Sequence, residues 1–422
     1  MKMALIYSCF ALAGVSVLVL PSPAHAQSNC PDYFAPITNS DGMRYPLEIA
    51  PLVWHVVGSG IYPVKGSDGL THLAYALMFT NTWSIQATLL SLEVIDAATG
   101  KASGKNRVLD IKNEDVTGEW KVLSIPATLD KANYSTQLGP GQSGVMFFDV
   151  TYSDASQVPC AIAHRIRVTV PPNPHRPSNF TVTSRPVKIS TMQAIVLGPP
   201  FRGEGWVNGN GCCLEIGPHR FVTNAMNGTL DPSEQFAIDW VKIDAQGRAI
   251  RTDGAKPEDW LDYGVDLLAV ADGTVVEVVR DLPDVAPNKA PEELTIPQIA
   301  GNRVILDLGS GRYAMYAHMV PNSATVNVGD RVKKGQKIGL LGNSGNTTAP
   351  HLHFQIMDAP SSLDVTSLPF VFEHMQLQGR IHVDLEALDV EISKPTGVKL
   401  DTRGTNSADG TMPLSLDVVS FK

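Results

Sequence analysis

The heptapeptide Pro350-His351-Leu352-His353-Phe354-Gln355-Ile356 decides how the second half of this chain is read. Side chains of a strand alternate between its two faces. His351, His353 and Gln355 therefore share one side, while Leu352, Phe354 and Ile356 share the other and offer an apolar face to a core. Two imidazoles about 7 Å apart on one face of such a strand suit metal ligation, one binding the ion and the other standing beside a bound water. A His-x-His pair alone is common on exposed strands. Here it follows a Gly342-Asn343-Ser344-Gly345-Asn346-Thr347-Thr348 loop, whose small residues let backbone and ligand approach closely.

Upstream, Gln235-Phe236-Ala237-Ile238-Asp239-Trp240 reads as a second strand, with Phe236, Ile238 and Trp240 as a core stripe and Asp239 on the opposite face. A carboxylate projecting from an apolar strand needs a partner to offset its desolvation, and a metal ion would serve. The plain alternative is a solvated Asp on an edge strand. A third strand, Tyr313-Ala314-Met315-Tyr316-Ala317-His318-Met319, ends in His318, which by itself reads as a satisfied core or edge residue.

The fold class expected throughout is all-β. Between about 40 and 190, the runs His72 to Phe79, Thr88 to Ile95, Gly144 to Val150 and Arg165 to Val170 are short strands punctuated by turns such as Gly139-Pro140-Gly141. Their spacing predicts an immunoglobulin-like β-sandwich acting as a spacer or docking module. Pro171 to Pro177 marks a rigid boundary, and a second β-rich region has its core between roughly 235 and 360. Two insertions, Lys242 to Asp262 and Asp281 to Ala300, are expected as surface loops beside its groove. The polar stretch beyond about 360 predicts an extended tail. The resulting division is a leader at 1–26, a sandwich at 27–190, a second β-domain at 191–365 and a tail at 366–422.

The 422 residues carry 33 basic and 42 acidic side chains, a net charge of -9 with no basic block, which argues against nucleic acid as a partner. Lys2, the apolar run Ala4 to Leu20 and Ala24-His25-Ala26 have the form of a cleavable export signal, so the expected location is periplasmic or secreted, with no stable membrane anchor. Cys30, Cys160, Cys212 and Cys213 then predict disulfides. Three pairings are open, and a long-range bridge from each of the adjacent Cys212 and Cys213 is easier than one between them.

Taken together, these blocks resemble the lysostaphin-type zinc metallopeptidases, which cleave peptides of bacterial peptidoglycan. The likeness covers about 235 to 360. It includes Ala269-Val270-Ala271-Asp272-Gly273-Thr274-Val275-Val276, Tyr316-Ala317-His318-Met319, Val328-Gly329-Asp330-Arg331-Val332-Lys333-Lys334-Gly335, Gly342-Asn343-Ser344-Gly345 and Pro350-His351-Leu352-His353-Phe354. The Val328 to Gly335 block alone is also similar to biotinyl or lipoyl carrier domains, which have no use for the His pair. The resemblance implies a lysostaphin-like antiparallel β-sheet peptidase domain with zinc as cofactor and a peptidoglycan peptide, or another extended peptide, as substrate. It implies Asp239 and His353 as zinc ligands, His351 as the base that takes a proton from water, and His318 as a second imidazole steadying the oxyanion.

One position departs from the family pattern. The first ligand is a His four residues before the Asp, and this chain has Gln235 there. His219, in Gly217-Pro218-His219-Arg220, could fold back to replace it. Asp262-Tyr263-Gly264-Val265-Asp266 mimics the spacing but lies too close to the Ala269 block. Without a replacement ligand, the expectation becomes a pseudopeptidase that binds peptide or glycan or activates other hydrolases.

Overall fold

The computed structural model describes residues 48–105, 108–110, 135–213, 217–289, 291 and 293–422. The expected leader and Cys30 lie outside them.

The first unit is built from β1 (Leu52–Val56), β2 (Pro63–Lys65), β3 (Thr71–Asn81), β4 (Ala87–Asp96), β5 (Val108–Asp110), β6 (Gln137–Leu138), β7 (Ser143–Tyr152), β8 (Ala161–Thr169), β9 (Asn179–Thr183) and β10 (Val187–Lys188). One sheet runs β1-β3-β2 with β7 also on β3; the other runs β10-β8-β4-β5 with β6 on β4 and β9 on β8. Tyr75, Phe79 and Phe148 of the first sheet meet Leu92, Val94 and Ile166 of the second in one core. Strand β3 is buried on both faces. Its Tyr75 side packs in this core, while Ala74 joins the core of the second unit and Ala76 packs near Phe221. That double burial explains why Leu73-Ala74-Tyr75-Ala76-Leu77 is apolar without alternation.

The second unit opens with β11 (Ile195–Leu197), β12 (Gly203–Gly209), helix α1 (Pro218–Phe221), β13 (Asn224–Met226), β14 (Thr229–Asp231) and β15 (Ile238–Lys242). It continues through β16 (Asp266–Leu268), β17 (Gly273–Val279), β18 (Arg303–Asp307), β19 (Tyr313–Ala317), β20 (Arg331–Val332), β21 (Lys337–Leu340) and β22 (Leu352–Met357). It ends with β23 (Ser367–Leu368), β24 (Phe370–Phe372), β25 (Gln376–Ile381), α2 (Leu388–Ile392), β26 (Leu400–Asp401), β27 (Asn406–Ser407) and β28 (Asp417–Phe421). The dominant sheet runs β20-β17-β18-β19-β22-β15-β12-β28-β25-β26. Trp240, Tyr316, Phe354 and Ile356 point from its centre into one large core. The opposite face of the same strands is where the candidate site lies.

Three expectations are corrected. Residues 366–422 are no extended tail: β28 is inserted between β12 and β25, with Val418 and Val419 fully buried. Val418, Val419 and Phe421 carry that strand by burying both its faces, but its short length beside a polar stretch hid it. The insertion after Lys242 is not merely a surface loop, because Ile243, Ala249 and Trp260 pack with Leu388, Ile392 and Val418 in a satellite core. Finally, Cys212 and Cys213 are bonded to each other, their Cα atoms 3.1 Å apart across a cis peptide bond, rather than each to a distant partner. Cys160 is also in a disulfide.

Candidate metal centre

The sheet register assembles the site. Asp239 of β15 is the cross-strand partner of His353 on β22, and His353 is the partner of Ala317 on β19, so His318 follows at the strand end. His318 adopts φ 61°, which turns its ring out of the strand and toward the same face. The loop before β22 packs as its composition suggests: Gly345 has φ 85°, and a Cβ there would collide with the backbone of Ile299 and Gly301.

His219 arrives from outside the sheet. In α1 its Nε2 lies 3.1 Å from Asp239 Oδ2, while His353 Nδ1 lies 3.0 Å from Asp239 Oδ1. Ligand atoms of His219, Asp239 and His353 all fall within 4.8 Å of one another. Donors on a tetrahedral zinc sit about 3.3 Å apart, given bonds near 2 Å, so this grouping fits a three-ligand site with one open position. The structure thus brings His219, Asp239, His318, His351 and His353 together: His351 Nε2 is 3.5 Å from Asp239 Oδ1, and the His318 and His351 rings are 4.6 Å apart. Gln235 stands elsewhere, its amide donating to Ala74 O at 2.7 Å. Asp266 is exposed and paired with Lys337, so the mimicking register has no part in the site.

The four imidazoles share one design. Each has one nitrogen held by a protein acceptor and the other turned into the cleft. Nδ1–H of His219 donates to Ala237 O, that of His318 to Ser344 O and that of His351 to Ala349 O; His353 reverses the pattern, its Nε2–H donating to Gln355 Oε1 at 3.3 Å. Such partners fix tautomer and ring orientation, as around bound metals. Asp239 Oδ2 also accepts from Asn210 Nδ2 at 2.8 Å.

Electrostatics match a cation site. Burial would raise the Asp239 carboxyl, but His219 and His351 hold it well below the usual range. Burial disfavours protonated His219, yet Asp239 and then Glu234 lift it to about 9. His318 is pushed down by burial and by His351 and His353. Without a metal, a proton on His219 supplies the positive charge that this carboxylate attracts.

Sequence reading missed Asn210, Glu234 and the residues Leu385, Leu388 and Asp389, all of which line the cleft of ≈ 360 Å³ around the histidines. Asn210 follows the Gly-rich end of β12 and carried no motif. Leu385, Leu388 and Asp389 lie in the stretch read as a tail, and Glu234 stands just outside the strand motif read at Gln235 to Trp240.

Comparison with known proteins bears directly on this geometry. Peptidase family M23 matches residues 261–365, a span that holds His318, His351 and His353. The chain is 37% identical over 111 residues to the glycyl-glycine endopeptidase ALE-1 of Staphylococcus capitis, covering 26% of this chain and 28% of that protein. The C-terminal half carries a lysostaphin-type M23 peptidase domain. The peptidoglycan DD-endopeptidase ShyA of Vibrio cholerae is 40% identical over 58 residues, covering 14% of this chain and 13% of ShyA. The catalytic domain of lysostaphin from Staphylococcus simulans, a solved structure, is 23% identical, with 39% of this chain and 88% of that one covered and a TM-score of 0.22. The chain thus spans under a third of the length of ShyA and ALE-1. The matched M23 segment begins after Asp239 and His219, so these two are placed by the fold alone.

Proposed function

We propose that this protein is an exported zinc endopeptidase that hydrolyses peptide bonds in peptidoglycan cross-links. The observation that carries the reading is the meeting of His219, Asp239 and His353 beside His318 and His351 in an M23 domain. The relatives named for peptidoglycan and glycyl-glycine cleavage support the substrate class. Gln235, which suggested an inactive binding module, loses that force once His219 stands in the ligand group.

His219 Nε2, Asp239 and His353 Nδ1 would hold the ion. Zinc bound there would make a water acidic near neutral pH and polarise the scissile carbonyl. His351 presents Nε2 to the cleft as a lone-pair acceptor, because its Nδ1–H is committed to Ala349 O; it takes the proton from the attacking water and returns it to the leaving amine. His318 Nε2, aimed the same way with its Nδ1–H on Ser344 O, is a second lone-pair acceptor and orients the attacking water beside the carbonyl. The apolar walls supplied by Leu385, Leu388 and Leu363 exclude water around an extended peptide.

The location follows from the substrate: a peptidoglycan hydrolase acts outside the cytoplasm, as the Lys2 to Ala26 leader pattern implies. Among the described residues no helix is long and apolar enough to cross a membrane. The N-terminal unit is read as an immunoglobulin-like sandwich. Incubating purified protein with peptidoglycan sacculi and resolving the released muropeptides tests the activity. Chelator-sensitive loss of cross-linked species is the expected result, and intact cross-links after zinc is supplied would refute it.

A further inference from the structure

Helix α1 faces two ways. Successive helical side chains point about 100° apart, so while His219 turns to Asp239, Arg220 and Phe221 turn to the N-terminal unit. Arg220 is 2% exposed, and its guanidinium donates to Tyr75 O at 3.2 Å and Phe148 O at 2.9 Å, carbonyls of cross-strand partners on β3 and β7. Charge-assisted bonds of this kind are stronger than neutral ones. The Phe221 ring lies 5.3 Å from Phe147 of β7, which is also 5.8 Å from the Arg220 guanidinium. The other end of the same segment is tied to the same strand, because Gln235 donates to Ala74 O on β3. The residue found in place of the family's first ligand is thus a contact between the two halves.

We propose that the N-terminal unit is a working part of the metal centre: docked on β3 and β7, Arg220, Phe221 and Gln235 act as positioning residues that hold His219 at ligating distance from Asp239. This rests on reading His219, Asp239 and His353 as the metal ligands. The sheets at β1 to β10 are then no spacer, and the metal centre would lose its His219 ligand without them.

The test uses the full chain with Phe147→Ala, Arg220→Met and Arg220→Lys. Zinc affinity is measured by chelator competition, and hydrogen exchange of the 217–222 amides is followed in metal-free protein. Loss of a partner that orients a ligand weakens metal binding about 10- to 100-fold. That weakening is expected for Phe147→Ala and Arg220→Met, together with faster exchange at 217–222, and Arg220→Lys should recover part of it. In a His219→Ala background, Arg220→Met should cost no further affinity, which separates positioning from general destabilisation. Wild-type affinity and exchange in folded variants would overturn the proposal while leaving the peptidase reading intact. If Arg220→Met does not fold, Phe147→Ala, which lies wholly in the N-terminal unit, decides. An unaltered chain that binds no zinc would instead remove the ligand reading, and this proposal with it.

Discussion

His219 and Asp239 lie twenty positions apart in the chain, yet His219 Nε2 is 3.1 Å from Asp239 Oδ2. The contact places a helix residue where the family pattern has a ligand four residues before the Asp. His219→Ala should therefore lower zinc affinity by more than about hundredfold, beyond what loss of an orienting partner costs. Adding Gln235→His to that variant should restore nothing, since the side chain at 235 is turned to Ala74 O. Zinc content after dialysis against a graded chelator reads both; rescue by the double variant would show that position 235 reaches the ion.

His351 and His318 line the cleft without belonging to the three-ligand group. His351→Ala should keep zinc but lower kcat by about 10²–10⁴-fold, the usual range for a general base. His318→Ala should lower it by about 10²-fold, as for loss of a group that orients a reactant. Metal content and kcat measured on the same samples check this. Zinc lost together with activity would move either residue into the ligand set.

How much of this was legible depended on whether a residue's signal was local. His351, His353 and Asp239 could be read because strand alternation is local and their faces are set by neighbours two positions away. The strands of the first unit were likewise placed by short apolar runs, with His72 to Phe79 lying inside β3. His219 could only be offered as one option, because nothing local in a four-residue helix says which strand it approaches. Strand β28 was missed for the converse reason: five residues gain a sheet position only by pairing with β12, which ends at Gly209, and with β25, which ends at Ile381. The bond between Cys212 and Cys213 depends on a backbone geometry that composition does not encode.

The interior place of β28 has a consequence for the C-terminus. Val418 and Val419 are fully buried on opposite faces of the sheet, one in the satellite core and one in the main core. Val418→Ala and Val419→Ala should each cost about 1.5–3 kcal/mol from lost burial. Chemical denaturation measures both. Effects within about 0.5 kcal/mol, typical of surface positions, would show that the strand is peripheral.

His72 gives the first unit a pH dependence. It is buried between Asp149, 2.9 Å from Nδ1, and Asp68, 3.2 Å from Nε2. Burial opposes its charge, but the two carboxylates raise it to about 9 from its ordinary value of 6.5. A raised histidine stabilises the fold fully below its unfolded value, and that stability is lost as pH rises through the folded one. Wild-type stability should fall between pH 6.5 and 9 by an amount on the order of 3 kcal/mol from this group. His72→Gln should flatten that part of the profile in urea melts, and an unchanged slope would contradict the pairing.

Asp262 acts in the same direction from the satellite core. It is fully buried; Oδ2 accepts from the Lys242 amide at 3.3 Å, and Oδ1 has no hydrogen-bond partner. Burial pushes its carboxyl up to about 8, so the folded chain holds a proton that the unfolded chain has released above its ordinary value of 3.8. The unfolded state binds fewer protons across that window, and stability therefore falls as pH rises from about 4 to 8. Asp262→Asn keeps the shape without the ionisation. It should be little different from wild type near pH 4 and more stable at pH 8, by an amount on the order of 5 kcal/mol. Comparing the two proteins at each pH cancels the His72 contribution, because separate sites add. A stability difference that does not grow with pH would show that Asp262 is already ionised in the folded protein.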